Sequence, residues 1–291
     1  MMDYKNLKEI ANLSIEQNKK ISDIVLIDQS KEMSISENDL YKKMEESFDV
    51  MLKSIEQGLD KDLKSTSKLS GGDSYRMLEY SKNNPLMGTF LSKALANCLA
   101  VSEYNSSMGK IVAAPTAGSC GILPGAICTL FLENMCKKDE AIMSLFTASA
   151  IGMVIAKNAT IAGAEGGCQA ECGAASAMTA GALVEVCKGS VENVLDACAF
   201  SIKNTLGLVC DPVAGLVEVP CIKRNVGCLS IAFSSANMAL SGIKSKIPFD
   251  ECVLAMKEVG SSMPTSLKET ACGGLATTPT GLNIKNMLFG E

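Results

Sequence analysis

Ala174-Ala175-Ser176-Ala177-Met178-Thr179-Ala180-Gly181-Ala182-Leu183-Val184-Glu185-Val186 is built almost wholly from small and aliphatic residues. Such a run reads as a helix that neighbouring helices can approach closely. The segments around it carry the same signal. Helical spacing or apolar runs predict helices near 86–104, 123–137, 140–158, 172–188, 190–205, 228–241 and 249–260. Alternating strand patterns are scarce, and Asn-Gly or Asp-Gly hairpin turns are absent. The fold class expected is therefore all-α, a multi-helix domain. With no Trp, 5 Tyr and 8 Phe, its core has to be made of Ala, Leu, Ile, Val, Met and Cys.

Composition narrows the function. The chain has 291 residues, enough for one large domain or two modest ones. Its net charge of −5 argues against nucleic acid as the partner. There is no His. A Ser-His-Asp triad, a His-ligated zinc or a His general base cannot come from this polypeptide. Thirteen Cys would suggest disulfides in a small secreted protein. Here Met1-Met2-Asp3-Tyr4-Lys5 lacks the apolar core of a signal peptide, so a reduced, cytoplasmic setting is expected. The apolar run Ala141 to Ala156 contains Ser and Thr and is short for a membrane span, so no membrane partner is expected.

Residues 1–65 form a charged N-terminal helical arm in this reading, with 10 Lys and 14 acidic residues. Ser36-Glu37-Asn38-Asp39 resembles a capping box, and Leu40, Met44, Phe48, Met51 and Leu52 follow at helical spacing as far as Gly58. Residues 66–291 form the second unit, opening on a polar stretch in which Ser70-Gly71-Gly72-Asp73 reads as a turn.

Four Gly/Pro-rich loops punctuate this unit, near 113–122, 163–169, 207–227 and 261–281. The first, Ala114-Pro115-Thr116-Ala117-Gly118-Ser119-Cys120-Gly121, precedes a helix with Pro124 in its first turn. Its amides suit a carboxylate or phosphate, and they equally suit an ordinary helix cap. The second carries Cys168 between Glu165 and Glu171, with Cys172 one turn on as a rival ligand. The third carries Cys210 and Cys221, each beside a Pro and set in loop rather than helix, followed by Lys223 and Arg224. Cations there could pair with an anionic group or form a solvated pair. Three thiolates without a fourth suit an iron–sulfur cluster with one open iron. No Cys-x-x-Cys pair points to a ferredoxin or zinc site, and core filler is the competing reading of any of the 13 Cys. The fourth loop is rich in hydroxyls and glycine and ends in Thr277-Thr278-Pro279-Thr280-Gly281.

Together these loops resemble the alpha subunit of the iron–sulfur-dependent bacterial L-serine dehydratases. The resemblance is carried by residues 114–121, 163–171, 207–225 and 277–281 and by Ser70-Gly71-Gly72-Asp73, and spans roughly 65–285. It implies an all-helical catalytic domain and a 4Fe-4S cluster held by Cys168, Cys210 and Cys221. It also implies conversion of L-serine to pyruvate and ammonia. Relatives made of one chain carry an additional N-terminal domain that elsewhere is a separate beta subunit. A beta subunit is therefore the expected partner, within an oligomer. Some such relatives end in a cysteine that caps the open iron, whereas Lys285-Asn286-Met287-Leu288-Phe289-Gly290-Glu291 contains none. On this reading the carboxylate of serine is held at Thr116, Gly118, Ser119, Cys120 and Gly121. The base that takes its α-proton is sought among Lys223, Glu165, Glu171 and Asp211, or in a His of the beta subunit. Alternatives are elimination from L-threonine or L-cysteine and a non-catalytic cluster protein.

Overall fold

A computed structural model describes residues 4–290; Met1 to Asp3 of the amino-terminal stretch read above and Glu291 of the tail lie outside it. Thirteen α-helices and a few single turns make up the described residues, and no strand occurs among them. The helix Ala174–Val186 (α9, counting in chain order) is buried along its whole length. Four helices surround it: α6 (Ile122–Leu132), α7 (Lys138–Asn158), α10 (Val191–Thr205) and α11 (Cys221–Leu240). Small side chains on α9 permit this, because each Ala or Gly removes volume between backbones and leaves no void to fill. The larger side chains Ile122, Ile127, Ile142, Phe146, Ile151 and Ile202 come from its neighbours and are fully buried. Each contributes about 1.5–3 kcal/mol of burial energy.

Around this centre α5 (Gly88–Ser106) packs on α6 and α11, and α12 (Phe249–Ser262) on α10. Helix α7 is long and apolar enough to cross a membrane by length and composition alone, yet 61% of its apolar window is buried inside the protein. The charged segment folds as α1 (Leu7–Glu16), α2 (Ile21–Met33) and α3 (Glu37–Gly58). Ser36 caps α3 through its side chain, which accepts from the Asp39 amide. Leu7, Ile10, Ile24, Phe48, Met51 and Ile55 join the same buried cluster as α9, and Phe48 meets Phe131 of α6 edge-on at 5.6 Å. Most of the charges lie at the surface, with Asp28 of α2 buried.

Three elements differ from the sequence expectation. The polar stretch contains a helix, α4 (Asp73–Ser81), and the fourth loop ends in another, α13 (Pro279–Phe289). Helix α11 begins at Cys221, seven residues before the expected start, so Cys221 sits in a first helical turn and not in a loop. Thr278-Pro279 forms the start of α13: the Thr278 hydroxyl accepts from the Gly281 amide, and Pro279 takes a position where no N–H is needed. Gly71 is required at its turn. Its φ is +126°, and a Cβ there would lie 2.2 Å from the Leu63 carbonyl oxygen.

One ionisable group is buried where the helices cross. Glu185 of α9 accepts from the Thr147 hydroxyl of α7 and the Ser22 amide of α2. Burial pushes its carboxyl above the ordinary value of 4.5, and the two donors only partly offset this. The folded state then keeps a proton that the unfolded chain gives up, so stability falls as pH rises from 4.5 through the folded value. In Glu185→Gln this fall should be smaller, as read from melting temperatures of the purified chain across that range. Parallel profiles for the two proteins would contradict the assignment.

Candidate active site

The site forms where the loops meet the helix ends around α9. Gly163–Gly166 (α8) is one helical turn; Cys168 follows it, ahead of a π-helical turn at Gln169–Gly173 that runs into α9. A π turn widens the helix by one residue, a device common at functional sites. Within it Glu171 and Cys172 meet different partners. Glu171 is half-buried, and its Oε1 accepts from the Thr116 hydroxyl at 2.8 Å. Its Oε2 lies 3.9 Å from the Cys210 Sγ. Burial raises the Glu171 carboxyl above its ordinary value, Glu269 adding to the effect and the Thr116 and Cys210 hydrogen bonds opposing it. Cys172 points inward, 1% exposed, toward Cys168 and Cys228.

Cys168 and Cys210 are buried and Cys221 is half-buried. The three act on one another electrostatically. Burial pushes the Cys210 thiol up and the Cys221 thiol up to about 12, with neighbouring negative charge adding to both. Cys168 is held below its ordinary value, first by the hydrogen bond from Cys172 and, against burial, by the Arg224 charge. Cys210 is fixed by its backbone: its amide donates to Leu267 O at 2.9 Å, and the Glu269 amide donates to its carbonyl at 2.7 Å. The fourth loop therefore closes over the third. Asp211, 3% exposed, holds that closure. Its Oδ2 accepts the Leu275 amide at 2.7 Å. Its Oδ1 faces Arg224 Nη2 at 2.8 Å, an ion pair whose N–H is not aligned as a hydrogen bond. Arg224 also donates to Val209 O at 2.6 Å.

Among the described residues no three His, Cys, Asp or Glu side chains stand close enough to share one metal ion. A cluster carries its thiolates on different irons, so its ligands stand further apart than those of a single ion. The donor set suits such a group: three thiols in mutual electrostatic reach, with Arg224 to offset their charge. The lining is cut close as well. A Cβ on Gly163 would lie 2.5 Å from Glu171 Oε2 and 3.2 Å from Cys210 Sγ, and one on Gly118 would lie 3.1 Å from Glu171 Oε1. In Gly163→Ala the mobile end of Glu171, not backbone, has to move. The urea midpoint of the purified chain should change little while turnover falls. A large loss of stability with normal turnover would contradict this placement.

The other residues singled out by sequence are placed as follows. Thr116, Gly118, Ser119, Cys120 and Gly121 lie on one turn beside Glu171. The Ser119 amide donates to Thr116 O at 3.3 Å, the Cys120 amide to Ala117 O at 3.4 Å, and the Gly121 amide to Asn225 Oδ1 at 3.0 Å. The amides of Ala117 and Gly118 take no acceptor among the described residues. Lys223 is exposed and paired with Asp73 at 2.5 Å. Burial pulls the Asp73 carboxyl up, but Lys223 and Arg76 together hold it below its ordinary value. Glu165 is exposed and accepts from the Thr160 hydroxyl at 2.6 Å. A groove of about 570 Å³ runs beside α11, lined by Leu208, Pro220, Lys223 and Arg224.

Two residues enter the site without a role in the sequence reading. Glu218, 5% exposed, accepts from the hydroxyls of Ser67 and Ser70 at 2.7 Å each, tying the Gly71-Gly72 turn to the third loop. Asn225 joins α11 to the 116–121 turn. The available signal was intrinsic: Asn is a poor helix former, and one turn into a helix it has to answer to something else.

The fold and these loops define a helical protein with a thiol-and-carboxyl centre built on a π turn. Comparison with known proteins gives a match to the serine dehydratase alpha chain family over residues 16–276. The probable L-serine dehydratase alpha chain of Bacillus subtilis (strain 168) is 42% identical over 290 residues, covering 99% of this chain and 96% of that one. The L-serine dehydratase alpha chain of Peptoniphilus asaccharolyticus is 46% identical over 285 residues, 98% of each. The L-serine dehydratase of Streptomyces coelicolor is 45% identical over 181 residues, 61% of this chain and 40% of that longer protein. The chain belongs to the serine dehydratase alpha chain family.

Proposed function

We propose that this chain deaminates L-serine to pyruvate and ammonia in the cytoplasm, working with a separate beta chain. The observation that carries the reading is the Glu171 carboxyl, which meets the Thr116 hydroxyl on one oxygen and the Cys210 thiol on the other. Substrate-binding loop and thiol centre thus share one carboxyl. Cys168, Cys210 and Cys221 would hold a 4Fe-4S cluster, which when bound supplies a Lewis-acidic iron for the serine hydroxyl.

The chain's own residues have the remaining tasks. The turn at Thr116 to Gly121 receives the substrate carboxylate, with the Ala117 and Gly118 amides as the donors left over from internal bonding. Glu171 Oε2 takes the α-proton. Among the candidates for that role it is the carboxyl that faces both loop and thiols, whereas Lys223 is paired with Asp73, Asp211 with Arg224, and Glu165 bonds Thr160 at the surface. Loss of the α-proton and the β-hydroxyl yields aminoacrylate and water. Tautomerisation and hydrolysis then give pyruvate and ammonia. The chain contains no imidazole, so any His in the reaction belongs to the beta chain. The alpha-chain names of its relatives support that pairing.

Product analysis tests the reading. The anaerobically purified chain mixed with its beta chain should release pyruvate and ammonia in equal amounts from L-serine. Preferential 2-oxobutyrate formation from L-threonine would move the substrate, and no product from either would end the reading.

A further inference from the structure

The 116–121 turn is gripped from two sides. On one, Thr116 bonds Glu171, three residues after Cys168. On the other stands Asn225, four residues after Cys221 and 1% exposed. Its Nδ2 donates to Gly118 O at 2.7 Å and to Cys221 O at 2.9 Å, and its Oδ1 accepts from the Gly121 amide at 3.0 Å. The orientation of the amide follows from its partners, because Gly121 offers an N–H while Gly118 and Cys221 offer carbonyls. Nδ2 also lies 4.0 Å from the Cys172 Sγ.

We propose that Asn225 is a positioning residue for substrate binding, which locks the carboxylate-binding turn to the helix start that carries Cys221. The proposal rests on the dehydratase reading above. A planar amide is the side chain this geometry asks for. It supplies two donors and one acceptor in one plane over a short reach. Asp would keep the acceptor for Gly121 and lose both donors. Leu would leave the Gly118 carbonyl and the Gly121 amide buried without partners. By fixing the Gly118 carbonyl, Asn225 fixes the backbone of Gly118 and the direction of the amides beside it, which receive the serine carboxylate. One side chain therefore ties the substrate loop to the start of the helix that carries Cys221. Because carboxylate binding is the same in the ground and transition states, its disturbance appears mainly in KM.

The test uses Asn225→Ala and Asn225→Asp in the anaerobically purified chain with its beta chain, read in three ways. Iron per chain reports the thiol centre. KM and kcat for L-serine report the turn. Amide hydrogen exchange in the cluster-free chain reports the loop without any activity. Asn225→Ala should keep its iron, raise KM roughly 10- to 100-fold with kcat far less affected, and speed exchange in 116–121 but not in α7. Asn225→Asp should show the same pattern to a lesser degree, and it carries the test if the Ala variant does not fold. Unchanged KM with unchanged exchange in 116–121 would overturn the proposal. Iron loss with a normal KM in the loaded fraction would do so too, because Asn225 would then serve the fold alone. If the unsubstituted pair releases no pyruvate, the dehydratase reading falls separately, and the exchange measurement still decides whether Asn225 sets the turn.

Discussion

Cys210→Ser is expected to bring iron content and pyruvate release down to background together while leaving the cluster-free chain folded. Serine is nearly the same size as cysteine, and the backbone at this position is held independently of the side chain. The residue donates to Leu267 O and accepts from the Glu269 amide, and Asp211 beside it is anchored to Arg224 and Leu275. The fold of the third and fourth loops therefore survives. What is lost is a soft thiolate donor, which an alcohol does not replace at neutral pH. Cys172→Ser makes the contrast. Cys172 is 1% exposed and turned toward Cys168 and Cys228, so its replacement should leave iron bound. Equal iron in Cys210→Ser and the unsubstituted chain, or iron lost only in Cys172→Ser, would overturn the assignment of ligands. Elemental analysis of anaerobically purified protein, with circular dichroism of the cluster-free forms, gives the answer.

Glu171→Gln is expected to keep its iron and lower kcat by about 10²- to 10⁴-fold, the usual contribution of a general base. The amide can still accept from Thr116 and is the same shape as the carboxyl, so the 116–121 turn stays in place. KM should move little. Glu165→Gln serves as the comparison, since Glu165 is exposed and bonded to Thr160 outside this group of contacts. A normal kcat in Glu171→Gln with a large loss in Glu165→Gln would transfer the role of base. Retention of kcat in both would place the base on the beta chain.

The centre of the fold was legible because the pattern that builds it is local. A run dominated by Ala, with Gly, Ser and a few aliphatic residues, suits a helix that others can approach, and α9 is buried from end to end. Helix α7 was legible from its apolar run in the same way. The helices missed depend on distant residues. Helix α4 is short and polar; its first amides, those of Asp73 and Ser74, donate to Glu103 of α5, some thirty residues away. The early start of α11 was hidden by Pro220 and Gly227, read as loop punctuation. Pro220 in fact stands at the cap, and a Cβ on Gly227 would meet nothing within 4 Å.

The candidate site was legible as chemistry but not as geometry. Clusters of Gly, Pro and Cys marked the loops, and the family resemblance picked out three of the 13 Cys. No local pattern pairs Thr116 with Glu171 or Gly121 with Asn225, which lie 55 and 104 residues apart in the chain. Those bonds arise because α9 brings the loops to one end of the bundle. Spacing alone gave Cys172 the same standing as Cys168, because residues four apart share a helical face. In the structure the two thiols are hydrogen-bonded to each other, Cys172 also meeting Cys228 in the core while Glu171 meets Cys210.

If iron held by Cys168, Cys210 and Cys221 serves the deamination of L-serine, iron and turnover have to rise together. Iron per chain and pyruvate release are to be measured on the same samples, from the cluster-free chain through stepwise anaerobic reconstitution, always with the beta chain present. Turnover rising in proportion to iron, toward about four irons per chain, is the predicted result. Full turnover in the iron-free pair would contradict it.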